Sequence, residues 1–172
     1  GFNAFESYNY PPLVEAGVNI TYHEHRILKP DFSKPMVPHF SLNNNVIIFS
    51  LFPGIREDLI RHIIATPNLQ AIVMRTFGSG NAPQSPWLMK ALKDARKYGK
   101  IIVNISQCMQ GSVEMGRYDT GYHLQEAGVI SGHDSTVESA VTKLMFLQAN
   151  YTDIDEIRSM MSKSIRGEIS LA

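Results

Sequence analysis

The chain has 172 residues, 44% of them hydrophobic and 19% charged, which suits a globular protein able to bury roughly 70% of its unfolded surface in one or two small domains. Lys and Arg total 16 and Asp and Glu total 16, with no long run of either sign, so neither nucleic acid nor an anionic membrane is expected as a main partner. The single cysteine, Cys108, excludes an internal disulfide, no apolar run approaches the ~18 residues of a membrane span, and the start carries no basic-then-apolar signal; a cytoplasmic protein is expected.

The first 45 residues lack the regularity of the rest. Pro11-Pro12 opens what reads as a short helical piece ending at Gly17. Ile20, Tyr22, Glu24 and Arg26 then alternate with Thr21, His23, His25 and Ile27 as a strand would. Residues 29–45 carry Pro30, Pro35 and Pro38 with little periodicity, the composition of a linker. One helix and one strand cannot make a core, so residues 1–28 are expected to be the end of an amino-terminal domain that is mostly absent. The first residue is Gly, and the chain is expected to begin inside a longer gene product.

Residues 46–131 alternate in type. Val46 to Phe52 is apolar and rich in β-branched and aromatic residues, a strand expected to be buried on both faces of a parallel sheet. After Pro53-Gly54, Ile55, Leu59, Ile60, Ile63 and Ile64 recur at helical spacing until Pro67-Asn68. Ala71 to Met74 forms the second strand. Ser85-Pro86 marks the next helix start, with Trp87, Leu88, Ala91, Leu92, Ala95 and Tyr98 on one face and Gly99 at the end. Lys100 to Ile105 is the third strand, followed by a long glycine-bearing loop, Gln107 to Tyr122, of the kind that is more often functional than idle. A short helix around His123 to Ala127 leads to a fourth strand at Gly128-Val129-Ile130. Ser135-Thr136-Val137-Glu138 matches a capping box for a helix burying Val137, Ala140, Val141, Leu144 and Met145. A last helix starts near Asp153 and buries Ile154, Ile157, Met160 and Met161. This order predicts an α/β fold: a three-layer, Rossmann-like parallel sheet of about four strands flanked by helices, spanning 46–172.

The polar stretch Arg75-Thr76-Phe77-Gly78-Ser79-Gly80-Asn81-Ala82-Pro83-Gln84 follows the second strand, at the carboxyl edge where open α/β sheets bind ligands. It is no dinucleotide fingerprint, because position 83 is Pro rather than Gly, and no phosphate-loop motif occurs anywhere. Arg75 could grip a carboxylate with two parallel hydrogen bonds, or pair with a local acid. Asn81 could be a left-handed turn residue. Their company favours a ligand site: Arg75, Asn81, Ser106, Gln107, Tyr118 and Asp134 all follow strand ends. Elsewhere the chemistry is thin. His23 and His25 lack a third ligand for zinc, His133-Asp134-Ser135 reads as helix capping rather than a triad, and Cys108 has no base beside it. Arg166-Gly167-Glu168 is expected to close the chain against its own domain or a partner. No catalytic residue, metal or cofactor is expected from these residues.

Met74 to Pro83, Val103-Asn104-Ile105-Ser106-Gln107-Cys108, Ala127 to Asp134 and Ile165-Arg166-Gly167-Glu168 together resemble the carboxyl-terminal domain of bacterial cytoplasmic (type I) L-asparaginases. Asn3-Ala4-Phe5, Pro11-Pro12-Leu13 and Glu15-Ala16-Gly17-Val18 are similar to the end of that family's amino-terminal domain. The resemblance implies hydrolysis of L-asparagine to L-aspartate and ammonia by the full protein, with the catalytic threonines in a missing amino-terminal domain, so that the isolated chain is inactive. It implies a homodimer or homotetramer in which Asn81, and Tyr118, reach the neighbouring subunit's substrate. It also implies an allosteric asparagine site at Arg75 and Cys108, to which Gln107 adds a partner for an amide. Two other readings stand beside it: a module that senses a small amino acid without chemistry, and the asparaginase-like subunit of a tRNA-dependent amidotransferase.

Overall fold

The computed structural model describes residues 8–116 and 119–170. The chain divides into two compact units, Gly1–Phe40 and Ser41–Ala172.

In the first unit two short strands, β1 (Val14–Ala16) and β2 (Ile20–Tyr22), pair antiparallel with Val14 opposite Tyr22. The expected helical piece from Pro11 to Gly17 is instead the first arm of this hairpin. Seven residues opened by two prolines cannot offset the cost of helix nucleation, whereas Val14 and Ile20 favour extended backbone and Gly17 starts the turn. The expected strand from Ile20 to Ile27 stops at Tyr22, and Glu24–Arg26 forms a 3-10 turn. That turn is held from outside: Tyr10 Oη donates to the Arg26 carbonyl at 3.0 Å and the Arg26 guanidinium donates to the Pro12 carbonyl at 3.0 Å. Beyond it the chain runs without regular elements, and Phe32, Met36 and Phe40 are each 90% exposed or more.

The second unit begins with an irregular segment tied to the body of the fold: the Asn43 amide donates to the Met145 carbonyl and the Asn43 side chain to Gln70 Oε1. The α/β pattern follows as β3 (Val46–Ser50), α1 (Glu57–Ile64), β4 (Ala71–Thr76), α2 (Pro86–Lys97), β5 (Ile101–Ser106), α3 (Asp119–Glu126), β6 (Ile130–Ser131), α4 (Val137–Asn150) and α5 (Ile154–Met161). All four strands are parallel, in the order β3-β4-β5-β6. Because each strand lands beside the previous one in the same direction, crossovers of one hand place their helices on one face. Side chains alternate accordingly. Ile72, Met74 and Ile102 pack with residues of α1, α2 and α3, while Ala71, Val73, Ile101, Val103 and Ile105 pack with α4 and α5. The second face is thus covered by the two helices that follow the last strand. Each fully buried Leu or Ile in these layers contributes about 1.5–3 kcal/mol.

Several burial expectations are corrected at the margins. The first strand of this sheet, β3, is an edge strand, so Ile48 is 43% exposed rather than enclosed on both faces. Leu59, Tyr98 and Ile154 leave the stripes assigned to them and face solvent, because each stripe meets the sheet only along its centre. The α4 helix is capped by Thr136, whose Oγ1 accepts from the Ser139 amide at 3.2 Å, one residue later than the Ser135 box implied; Ser135 is used in the preceding turn, its amide donating to the Gly132 carbonyl. The buried stripe of that helix is Ala140, Lys143, Leu144 and Leu147, with a lysine at its centre and Met145 outside it. Asp153 caps α5 as its position suggests, accepting from the Asp155 amide at 2.9 Å. The Lys143 ammonium lies 2.6 Å from Glu168 Oε1, so the Arg166-Gly167-Glu168 stretch closes against its own unit.

Candidate functional site

Parallel strands end together, so the loops after β3, β4, β5 and β6 share one edge of the sheet. The sequential strand order contains no reversal, so these four strands form no crevice of the topological kind. What shapes the edge is the loops and how they are bonded.

The turn after β4 is closed on itself. Phe77 and Asn81 exchange main-chain bonds, Phe77 N–H to Asn81 O at 2.9 Å and Asn81 N–H to Phe77 O at 2.8 Å. Gly78 (φ 51°) and Gly80 (φ 102°) take the left-handed backbone that the turn requires. Asn81 therefore sits on the returning arm with ordinary φ, not in the left-handed conformation open to it from sequence; its Nδ2 lies 3.4 Å from Ser79 Oγ.

Beneath the turn lie two polar residues that are wholly buried. Thr76 Oγ1 donates to Asn104 Oδ1 at 2.6 Å, and Asn104 Nδ2 donates to the Gly80 carbonyl at 3.0 Å. The next residues of β5 bind the same turn: Ser106 Oγ donates to the Gly78 carbonyl at 2.6 Å and accepts the Cys108 amide at 2.9 Å. The long loop is anchored too, with Glu114 N–H on the Ser79 carbonyl, Val113 N–H on the His133 carbonyl and Ser131 Oγ on the Val113 carbonyl.

Gln107 Nε2 donates to the carbonyls of Leu51 (2.7 Å) and Arg75 (3.0 Å), joining the ends of β3 and β4. Its amide N–H groups are committed there, so what it can offer a ligand is its carbonyl oxygen. Arg75, whose carbonyl takes one end of this bridge, is half-buried, and its Nε is buried without a hydrogen-bond partner among the described residues. A buried N–H left unpaired costs about 1–3 kcal/mol, so an acceptor that reached this nitrogen would be stabilised. Cys108 is an exposed free thiol one residue beyond Gln107. The edge thus brings Arg75, Gln107 and Cys108 to one place through the bonds of Ser106 and Gln107, with Asn81 on the adjoining turn. Asp134 turns elsewhere, accepting the Ser170 amide at 2.7 Å. Tyr118 lies outside the described residues.

Residues 45–161 match the model of the Glutaminase/Asparaginase C-terminal domain family. The chain belongs to this asparaginase family. L-asparaginase 1 of Escherichia coli K12 is 39% identical over an alignment of 174 positions that covers 99% of this chain and 50% of that protein. The crystal structure of L-asparaginase I from Vibrio cholerae superposes with a TM-score of 0.89 at 40% identity, covering 98% of this chain and 50% of the other. One of the subunits of a glutamyl-tRNA(Gln) amidotransferase from Sulfolobus acidocaldarius is 34% identical over 128 residues, 74% of this chain and 28% of that protein. The chain therefore spans half the length of these two asparaginases, and its sheet and flanking helices are the fold of the asparaginase carboxyl-terminal domain.

Thr76 and Asn104 are the residues of this edge that sequence reasoning passed over. Their signal was available: a threonine and an asparagine in strands otherwise made of Ile, Val and Met must find partners inside the sheet.

Proposed function

We propose that this chain is the carboxyl-terminal half of a cytoplasmic L-asparaginase that hydrolyses L-asparagine to L-aspartate and ammonia. The observation that carries the reading is the match to an L-asparaginase over 99% of the chain at 39% identity. The reaction is acyl transfer to threonine and then to water, and the threonines lie in the half of the protein outside this sequence. On this reading the protein is a homodimer or homotetramer, Asn81 and Tyr118 face the substrate held by the neighbouring subunit, and residues 1–28, 29–45 and 46–172 are the end of the amino-terminal domain, the linker and the carboxyl-terminal domain.

The full-length gene product should release ammonia from L-asparagine. Asn81→Ala should lower kcat/KM by about ten- to a hundredfold, the loss of one or two hydrogen bonds at a reacting substrate. Absence of ammonia release by the full-length protein would overturn the reading. Release that depends on charged tRNA would favour the amidotransferase reading, the alternative that the Sulfolobus relative supports.

Arg75, Gln107 and Cys108 form an effector site for a second molecule of asparagine. The unpartnered Arg75 Nε supports this part, since an amino-acid carboxylate would satisfy it. Calorimetry of the full-length protein with asparagine should show a class of sites that Arg75→Ala weakens about ten- to a hundredfold, from the loss of roughly 1.5–3 kcal/mol. Equal affinity in the mutant would remove the effector site and leave the asparaginase reading untouched. Asparagine binding with no turnover under any condition would favour the sensing module.

A further inference from the structure

We propose that Thr76 and Asn104 are positioning residues for Asn81, acting through the Gly80 carbonyl; the inference rests on the asparaginase reading above. The Gly80 carbonyl and the Asn81 N–H belong to one peptide group, which is planar and rigid. Both of its ends are clamped. The carbonyl accepts from Asn104 Nδ2 at 3.0 Å, and the N–H donates to the Phe77 carbonyl at 2.8 Å. The plane that precedes the Asn81 side chain is thereby fixed in orientation, and the remaining freedom of Asn81 is its own torsions.

Thr76 sets which way the clamp faces. An asparagine side chain offers an oxygen on one side and an NH2 on the other, and a half-turn about its last torsion exchanges them. Thr76 Oγ1 has two acceptors in reach, Asn104 Oδ1 at 2.6 Å and the Ile105 carbonyl at 3.3 Å; its bond to the nearer one holds the amide oxygen on the Thr76 side and leaves Nδ2 directed at Gly80. Exchanged, the amide would place its oxygen against the Gly80 carbonyl, acceptor on acceptor. Both residues are 0% exposed, so no water can stand in for the missing partner. Gly80 is closely packed, since an added Cβ there would meet Val113 Cγ1 at 2.6 Å. The inner layer of the site is thus a relay of two hydrogen bonds running from β4 through β5 to the residue before Asn81.

Steady-state ammonia release by the full-length protein tests this with Thr76→Val, Thr76→Ser and Asn81→Ala. Thr76→Val keeps the shape and removes the donor; it should lower kcat/KM for asparagine about tenfold, while Thr76→Ser, which keeps the hydroxyl, stays within about twofold of the wild type. In the Asn81→Ala background Thr76→Val should change little, because the residue it orients is gone. Equal losses with and without Asn81 would assign Thr76 a general structural role and overturn the proposal, as would an unchanged Thr76→Val enzyme. Should Thr76→Val fail to fold, Thr76→Cys, with its weak S–H donor, is read in the same cycle. A wild-type protein that releases no ammonia defeats the asparaginase reading and this one together, whereas an active wild type with additive mutants defeats only this one.

Discussion

Lys143→Ala is expected to lower the stability of the protein by about 3–5 kcal/mol, the usual cost of removing one partner from a buried ion pair. Lys143 stands in the centre of the buried face of α4, and its ammonium reaches past the core to the tail after α5. It lies 2.6 Å from Glu168 Oε1 and donates to the main-chain carbonyls of Met161, at 3.3 Å, and Lys163. Glu168 is satisfied on its other side by the amides of Ile165, at 2.9 Å, and Arg166, at 2.6 Å. Both side chains are largely enclosed, 5% and 17% exposed, so water replaces the lost ammonium only in part. The measurement is the urea midpoint of the mutant. A shift no greater than that of an exposed lysine on the same unit, such as Lys97, would show that the pair contributes nothing beyond its surroundings.

The same knot gives the fold a pH dependence whose sign is fixed. Burial by itself would raise the Glu168 carboxyl, but the hydrogen bonds from Lys143 and from the amides of Arg166 and Ile165 outweigh it and hold the group at about 2, against an ordinary 4.5. The unfolded chain therefore binds this proton more readily than the folded one between those values. Stability from this group is fully present above pH 4.5 and is lost as pH falls from about 4.5 towards 2. Glu168→Gln should flatten the urea midpoint across that window; an unchanged slope would place the acid sensitivity elsewhere.

Gly80→Ala should cost about 2–5 kcal/mol and depress ammonia release by the full-length protein as well. Two penalties combine. At φ 102° the backbone is in a region that a Cβ strains by about 1–3 kcal/mol, and the new methyl would lie 2.6 Å from Val113 Cγ1 and 3.2 Å from Asn104 Nδ2, forcing an overpacking cost of similar size. The relaxation that relieves the clash must move either the Val113 loop or the Asn104 amide, and both hold the turn carrying Asn81. Gly116→Ala is the control, since its Cβ would meet nothing within 4 Å and its φ is not left-handed; it should stay within about 0.5 kcal/mol of the wild type. Equal midpoints for the two variants would mean that the turn after β4 yields freely.

Much of the second unit could be read directly. Runs such as Ala71-Ile72-Val73-Met74, too apolar for a half-exposed strand, alternate with stripes such as Leu88, Ala91, Leu92 and Ala95, and that alternation has few solutions other than a parallel sheet with helices packed on it. The first unit was less legible because Pro11 to Gly17 carries no period at all: its conformation comes from pairing with Ile20–Tyr22, a partner that propensity cannot see. The site was half legible. Arg75, Asn81, Gln107 and Cys108 follow strand ends, and polar residues there are visible in any linear reading. Gln107 nonetheless spends its amide hydrogens on two strand-end carbonyls, which follows only from β3 and β5 lying on either side of β4.

By itself the sequence determined the class of layers, the direction of the strands and the edge at which polar groups gather, because hydrophobic period and turn chemistry are local properties. Only the tertiary structure decided that β3 is an edge strand, that α4 and α5 cover the second face, that Lys143 is buried against Glu168, and that Thr76 and Asn104 hold the Gly80 peptide. Each of these is a pairing between groups far apart in the chain or a choice among strand orders. Local preference is indifferent to such pairings; the need to satisfy every buried polar group while closing the core selects them.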